Sequence, residues 1–346
     1  MNPSIQHTVK VSVIIPCRNE ESFIAALIEN ILVQDYPTDL LEVFFIDGKS
    51  EDRTVEVIKK YITENSHLRL LFNPQMFVPF GLNKAIQMCQ GEVIIRMDAH
   101  SIYPKNYISE LVFQLADLNA DNVGGAWNIK PANQSPMAKA IAFSNRHPFG
   151  IGNAQYRYAQ NTARLVDTVP FGCYPKRIFE EIGLFDEELI RNQDDEFNAR
   201  LKKRGGKIFL IPSIKIDYFA RPTFRLMSKM FYQYGLYKPL VNKKLGRIST
   251  LRQLFPALLI LGTILGIIIS IIWPILIVLL IFAWALYLGI SMVIAISQFK
   301  REGASRTSAL IPISFIIIHF SYGWGYLEGL LLLLLGKRPR IKSHSR

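Results

Sequence analysis

Cysteine is scarce in this 346-residue chain, with only Cys17, Cys89 and Cys173. Their spacing matches neither a metal site nor a redox pair, and three scattered thiols fit ordinary buried residues in a reducing cytoplasm.

The first apolar run lasts only from Val11 to Pro16. That run is too short for the hydrophobic region of a signal peptide, so we expect the N-terminal part to be cytoplasmic.

Charged residues are missing from Leu254 to Phe299, a run of 46 positions, and Thr307–Leu335 is apolar apart from Glu328. A membrane-spanning helix needs about 20 apolar residues. The sequence therefore predicts an integral membrane protein with a soluble N-terminal part of about 250 residues.

Acidic residues are scarce near the same apolar runs. Residues 221–346 contain 16 Lys and Arg but only two Asp and Glu, whereas residues 1–220 contain 24 basic and 26 acidic residues. The formal net charge of +12 thus arises beside the predicted spans. Such a distribution is expected from the positive-inside bias and from attraction to anionic lipid, and it argues against a nucleic-acid partner.

Two phosphate-binding fingerprints are also missing: no G-x-G-x-x-G follows the first strand, and G-x-x-x-x-G-K-[ST] is absent. What is present is an alternation of short apolar runs with helical patterns. The runs predict strands at Val11–Pro16, at Leu41–Ile46, at Leu68–Phe72 and just before Asp98. Strands alternating with helices indicate βαβ units and a mostly parallel sheet.

Polar turns follow three of these strands, at Cys17–Glu21, Asp47–Thr54 and Asp98–His100. Ligands of open α/β sheets bind at the carboxyl ends of strands, so the three turns predict a crevice of nucleotide size. The alternative for Ser50 and Asp52 is a helix-capping role.

Asp98 and His100 are separated by one residue just past a buried strand. Continued alternation would point both side chains the same way. A carboxylate and an imidazole aimed at one point suit a divalent ion whose shell is completed by phosphate oxygens. The alternative is an ordinary polar loop in which Asp98 caps the next turn.

Three acids, Asp194, Asp195 and Glu196, stand together in a predicted first helical turn. They could simply complement the helix dipole. In a pocket, one of these carboxylates would be a natural general base. Further upstream, Asn145–Arg164 contains few aliphatic residues and predicts a long loop.

Five motifs in chain order resemble those of family 2 glycosyltransferases with the GT-A fold. Val11–Glu20 resembles a strand followed by P-x-x-N-E, Asp47–Thr54 resembles D-D/G-G-S-T-D-G-T, Gly91–His100 resembles G-E-x-I-x-x-x-D-x-D, Gly183–Glu187 resembles G-G-F-D-E, and Gln193–Leu201 resembles E-D-x-D-L-x-x-R-L. The resemblance covers about residues 9–215. The form of Arg96–His100, with apolar spans after it, is most similar to succinoglycan-type glycosyltransferases of exopolysaccharide assembly.

The resemblance implies an α/β GT-A domain, a Rossmann-like mixed sheet, at residues 1–220. It implies that a nucleotide, carried in a UDP-sugar, contacts Pro16, Arg18 or Asn19, Glu20, Asp47 and Asp98. It also implies that Asp98 and His100 hold a divalent metal, Mn²⁺ or Mg²⁺, and that Asp194 is the catalytic base.

Two residues depart from the family pattern. His100 stands where a second Asp is usual, which lowers the negative charge offered to a hard ion. Gln193 replaces the usual Glu, so the base could be Asp194 or Asp195. The Q-x-x-R-W signature of processive synthases is missing, which favours the transfer of one sugar per encounter.

The C-terminal part divides into three predicted segments. Residues 221–252 form a basic amphipathic segment in which Phe224, Met227, Phe231 and Tyr234 make an apolar stripe. It either lies on an anionic leaflet or packs as an ordinary helix. Residues 253–336 form two spans that turn near Trp273–Pro274, followed by a third span or a re-entrant segment, and residues 337–346 form a basic cytoplasmic tail.

The topology is left open by the charges. The basic loop Ser297–Ser308 and the basic tail should both be cytoplasmic by the positive-inside rule, but three full spans would put one of them outside.

The sequence thus predicts a multi-pass inner-membrane enzyme with a cytoplasmic catalytic domain. It would be an inverting glycosyltransferase that moves a hexose from a nucleotide sugar to a lipid-linked glycan. The alternatives are a processive polysaccharide synthase and a non-catalytic membrane scaffold that binds nucleotide sugar.

Overall fold

The computed structural model describes residues 9–152, 154–157, 162–248, 250–303 and 305–341. The chain forms two compact units. The first contains Met1–Asn128 and Tyr158–Tyr218, and the second contains Ile129–Arg157 and Phe219–Arg340. The boundaries predicted at residues 220, 252 and 336 stay predictions.

The strands and helices of the first half of unit one alternate as the apolar runs predict. They are β1 (Val11–Cys17), α1 (Glu21–Leu32), β2 (Leu41–Asp47), α2 (Thr54–Ile62), β3 (Leu68–Phe72), α3 (Val78–Met88), β4 (Val93–Arg96), β5 (Ser101–Ile102) and α4 (Tyr107–Asp117). β1 pairs in parallel with β2 and β4, and β2 pairs in parallel with β3. Valine, isoleucine and phenylalanine make these strands because branched and aromatic side chains pack well in a buried sheet.

The second half of the chain adds antiparallel strands. It contains β6 (Asn122–Lys130), α5 (Pro136–Arg146), α6 (Pro148–Ile151), β7 (Arg164–Leu165), β8 (Cys173–Pro175), α7 (Arg177–Glu181), α8 (Gln193–Lys203) and β9 (Ile208–Phe219). The sheet order is β3-β2-β1-β4-β8-β6-β9-β5, with β7 beside β9, and β8 pairs antiparallel with β4 and β6. The sheet is therefore mixed. The expectation of a mostly parallel sheet holds only for the βαβ half.

Unit two consists of helices. Besides α5 and α6 it contains α9 (Phe224–Leu245), α10 (Phe255–Ile272), α11 (Ile277–Glu302) and α12 (Ser305–Leu334). Three segments among the described residues are long and apolar enough to cross a membrane, by length and composition: Leu251–Ile272, Pro274–Glu302 and Arg306–Leu334. The chain turns between α10 and α11 at Trp273–Pro274, where the sequence predicts it.

α9 packs closely against α12. A methyl group at Gly325 or Gly329 of α12 would collide with backbone atoms of α9, so the two backbones approach where side chains are absent. Met227 and Phe231 of the predicted stripe are buried, while Arg225 is exposed. The apolar stripe of α9 thus packs within unit two, and the role of this segment at a lipid surface stays a prediction.

The segment predicted as a loop at Asn145–Arg164 contains the short helix α6 and a 3₁₀ turn at Gln155–Arg157. Residues 153 and 158–161 lie outside the described residues.

Candidate functional site

The turns after β1 and β2 interlock at the carboxyl edge of the parallel strands. Asn19 N–H donates to Ser50 Oγ at 2.9 Å, and Asn19 Oδ1 accepts from Glu51 N–H at 2.8 Å. Glu20 N–H donates to Thr54 Oγ1 at 2.7 Å. Residues that are about 30 positions apart in the chain therefore build one polar rim.

Neither Ser50 nor Asp52 is the N-cap of α2, which is Arg53 and has no side-chain capping bond. Asp52 Oδ1 accepts from Thr54 N–H at 3.0 Å in the first turn of α2, and Asp52 Oδ2 accepts from Glu21 N–H at 3.1 Å. Asp47 is different, because it is buried at the last position of β2 and accepts only weakly from Ser50 N–H, at 3.2 and 3.3 Å. Its carboxylate retains acceptor capacity at the strand end.

The rim is electronegative. Burial, and next the carboxylates of Asp47, Glu20 and Asp52, raise the pKa of the Cys17 thiol well above its ordinary value. Cys17 stays protonated and is not a nucleophile. The same field favours a cationic ligand or a cationic side chain at the edge.

Strained backbone is concentrated in the loops around this edge. Five non-glycine residues with positive φ follow β1, β2 or β3 or precede β8 or α8: Asn19 (54°), Lys49 (58°), Met76 (68°), Phe171 (65°) and Asn192 (61°). Such conformations cost energy and are frequent at ligand-binding sites.

His100 lies between two carboxylates. Its Nε2 is 3.7 Å from Asp98 Oδ2, and its Nδ1 is 3.6 Å from Glu20 Oε1. The structure therefore brings together the predicted pair Asp98 and His100, and it adds Glu20 on the other side of the ring. Tyr103 fixes the turn, because its hydroxyl accepts from Asp98 N–H at 2.7 Å and donates to Asp98 O at 3.3 Å.

The side chains near Asp98 supply only some of the ligands that a divalent ion needs. No group of three or more His, Cys, Asp and Glu among the described residues forms a metal-binding cluster. Asp98 and His100 offer one carboxylate and one imidazole at a separation that a single ion could bridge with bonds of about 2.1 Å. The protein thus supplies two ligands, and the remaining positions would be filled by water or by ligand oxygens.

The three acids of α8 have distinct environments. Asp194 Oδ2 is 3.8 Å from Arg96 Nη1, and the Asp194 side chain is 37% exposed. Glu196 is 4% exposed and accepts from Arg200 Nε at 2.7 Å and Nη2 at 3.0 Å. Glu196 therefore has a structural role, whereas Asp194 and Asp195 are both partly exposed.

Comparison with known proteins identifies the family. Residues 12–183 match Glycosyl transferase family 2. The succinoglycan biosynthesis protein ExoA of Rhizobium meliloti (strain 1021) is 30% identical over 249 residues, which cover 70% of this chain and 73% of that protein. The chain belongs to glycosyltransferase family 2.

Further matches agree with this assignment. The dolichyl N-acetyl-alpha-D-glucosaminyl phosphate 3-beta-D-2,3-diacetamido-2,3-dideoxy-beta-D-glucuronosyltransferase of Methanococcus voltae is 29% identical over 242 residues, 68% of this chain and 74% of that protein. The solved mannosyltransferase PcManGT from Pyrobaculum calidifontis, in complex with GDP-Man and Mn²⁺, has a TM-score of 0.57 at 17% identity, covering 92% of this chain and 88% of that chain. The latter likeness shows the fold and confirms the predicted GT-A architecture.

In this glycosyltransferase the sequence pattern missed one residue of the site, Arg96. It ends β4, is 8% exposed, and lies 5.9 Å from the centre of the Phe171 ring. Its Nε and Nη1 atoms make no hydrogen bond within the part of the chain that the structure describes. The sequence did contain a signal for Arg96, namely a cation in the otherwise apolar run Val93–Met97. A charged side chain is rarely buried without a partner, so such a cation indicates a site.

Proposed function

We propose that this family 2 glycosyltransferase transfers a hexose, with inversion, from a UDP-sugar to a lipid-linked glycan during exopolysaccharide or cell-envelope polysaccharide synthesis. One observation carries the proposal: β4 and the turn after it hold Arg96 beside Asp194 and Asp98 beside His100. The proposed general base Asp194 and the proposed diphosphate site at Asp98 and His100 thus both lie at the carboxyl end of β4. The two relatives support it, since one takes part in succinoglycan biosynthesis and the other is named for transfer to a dolichyl-linked sugar.

The nucleotide would bind along the rim formed by Pro16, Arg18, Asn19, Glu20 and Asp47. The buried Asp47 carboxylate can accept an N–H from a base. Arg18 presents buried Nε and Nη1 atoms without hydrogen-bond partners in the described ranges. These donors suit carbonyl or phosphate oxygens, because guanidinium groups recognise planar acceptor pairs.

Asp98 and His100 would hold the divalent ion, as family members generally require one. When bound, such an ion stabilises negative charge on the departing diphosphate. Glu20 lies on the other side of the His100 ring, with its Oε1 3.6 Å from Nδ1, and would favour a proton on that nitrogen.

Asp194 would act as general base. The acceptor hydroxyl loses its proton to the Asp194 carboxylate while its oxygen attacks the anomeric carbon from the face opposite the nucleotide. The bond between that carbon and the diphosphate oxygen breaks, and its electron pair leaves with the nucleoside diphosphate. Arg96 Nη1, 3.8 Å from Asp194 Oδ2, would attract the carboxylate electrostatically from the protein side.

A lipid-linked acceptor would explain why the chain carries long apolar helices and a basic C-terminal part. We place the protein in the inner membrane with its catalytic residues in the cytoplasm, where nucleotide sugars are available.

Donor hydrolysis by the purified full-length protein tests the enzyme class. A panel of UDP-sugars with and without Mn²⁺ should show nucleotide release for at least one donor. Saturable nucleotide-sugar binding with no release for any donor, alone or with membrane lipid extract, would instead indicate a non-catalytic scaffold. The length of the product distinguishes single transfer from processive synthesis. Addition of one sugar supports single transfer, whereas a ladder of products indicates a processive synthase.

A further inference from the structure

The three apolar helices of unit two are not equally covered by protein. In α12, 50% of the most apolar window is buried, against 11% in α10 and 11% in α11. α12 is enclosed by other helices of its own unit: Ile311 and Phe315 pack with Ala140 of α5, and its later turns pack on α9. The hairpin of α10 and α11 instead exposes isoleucine and leucine over most of its length.

The midpoint of α12 is held beside exposed cations. Ser321 Oγ of α12 lies 2.8 Å from Ser228 Oγ of α9. Arg225 and Lys229, on either side of Ser228 in the chain, are exposed. If α12 crossed a bilayer, its midpoint would lie near the bilayer centre and would bring both cations there, which is strongly unfavourable. This contact therefore places the midpoint of α12 near the membrane surface.

Contacts between α12 and α10 indicate the same depth in the membrane for the midpoint of α12. The His319 ring of α12 lies 5.4 Å from the Phe255 ring, and a methyl group at Gly323 would collide with the Pro256 backbone. Phe255 and Pro256 form the first turn of α10, directly after Arg252. The middle of α12 thus lies beside the first turn of α10, where α10 would enter the membrane, and the Tyr287 hydroxyl of α11 also reaches it, 2.7 Å from His319 Nδ1.

The second half of α12 is too short to reach the opposite face. From Ser321 to the exposed Lys337 a continuous helix would be about 24 Å long. From Ser228 to the exposed Lys243 of α9 the length is about 22 Å. The hydrocarbon core is about 30 Å thick. Neither helix can carry its terminal lysine across.

We propose that only the α10–α11 hairpin crosses the bilayer and that α12 lies along the membrane surface on the side where α10 begins. The inference rests on the membrane attachment in the proposed function. Its partner is an anionic lipid surface, because residues 129–157 and 219–340 contain 18 Lys and Arg but only the acids Glu302 and Glu328. Glu328 accepts from the Tyr232 hydroxyl at 2.8 Å. Lys238 is buried, so the basic residues that would face the headgroups are exposed ones such as Arg225, Lys229 and Lys243.

This arrangement satisfies the positive-inside rule for every basic segment at once. The loop after α11, with Lys300 and Arg301, and the tail from Lys337 lie on the same face. Three full spans would separate them.

Labelling of one introduced cysteine at a time in the full-length protein tests the topology. The native Cys17, Cys89 and Cys173 are buried, so the wild type provides the background. Glu302→Cys and Lys337→Cys, both at exposed positions, are treated with a membrane-impermeant maleimide in inside-out and in right-side-out vesicles. Arg340→Cys is a second tail variant in case Lys337→Cys does not accumulate.

Both thiols should be labelled several-fold more in the same vesicle orientation, whichever that is. Labelling of position 337 or 340 in the opposite orientation to position 302 would overturn the proposal and establish a third span. Loss of the protein from sedimented membranes, with equal labelling in both preparations, would refute the membrane attachment itself. Donor hydrolysis by the same preparations reports on the proposed enzymatic function independently.

Discussion

Asp194→Asn is the substitution that bears most directly on the chemistry. Removing a general base lowers the rate by roughly 10²–10⁴-fold, or about 3–5 kcal/mol in the activation barrier. The KM for the donor should change little, because Asp194 lies at the start of α8 and the nucleotide rim is built by the turns after β1 and β2. Asparagine keeps the size of the side chain, so the fold should be retained.

The same turn offers two matched controls. Asp195→Asn should lower the rate less than Asp194→Asn. Glu196→Gln breaks a buried, charged pair with Arg200, and hydrogen bonds to charged groups contribute about 1.5–3 kcal/mol to stability. It should therefore lower the melting temperature while the folded fraction keeps most of its rate.

Nucleotide release under saturating donor and acceptor measures the rate, and thermal unfolding measures stability. The expected result is a rate for Asp194→Asn that lies far below the rate for Asp195→Asn. A larger loss for Asp195→Asn would refute the reasoning and shift the motif assignment by one residue.

Tests at four further residues probe the rest of the site. Asp98→Asn should abolish turnover while leaving the melting temperature near that of the wild type, and near wild-type activity in saturating Mn²⁺ or Mg²⁺ would place the metal elsewhere. His100→Asp should keep some activity and shift metal preference toward harder ions, as measured by titration of each metal. Arg96→Met should lower kcat more than it raises donor KM, Arg96→Lys should retain part of the rate, and an effect on KM alone would assign Arg96 to donor binding. Cys17 should resist iodoacetamide in the folded protein, because burial and then Asp47 raise its pKa, and rapid alkylation detected by peptide mass spectrometry would contradict the electronegative rim.

Local sequence was sufficient for the parallel half of the sheet. β1, β2 and β3 lie within one residue of the predicted runs, because each run is apolar, branched and bounded by polar turns. The turn from Asp98 to His100 was predictable for the same reason, since alternation past a strand end fixes the relative direction of two side chains.

Contacts between distant segments were not predictable. Nothing near Arg96 indicates that Asp194, on a later helix, is its neighbour, and nothing near His100 indicates that Glu20 faces its other nitrogen. Residues 129–157 read as part of the α/β domain and a loop, yet they pack with the apolar helices of unit two. Such pairings depend on tertiary packing that composition and periodicity do not encode.

Transfer of radiolabelled sugar from a UDP-sugar into the organic-extractable lipid fraction tests the central claim most directly. Membranes containing the full-length protein should incorporate label in the presence of Mn²⁺, and membranes containing Asp194→Asn at equal protein level should incorporate roughly 10²–10⁴-fold less. Equal incorporation by both, or none by the wild type with any donor of the panel, would contradict the account.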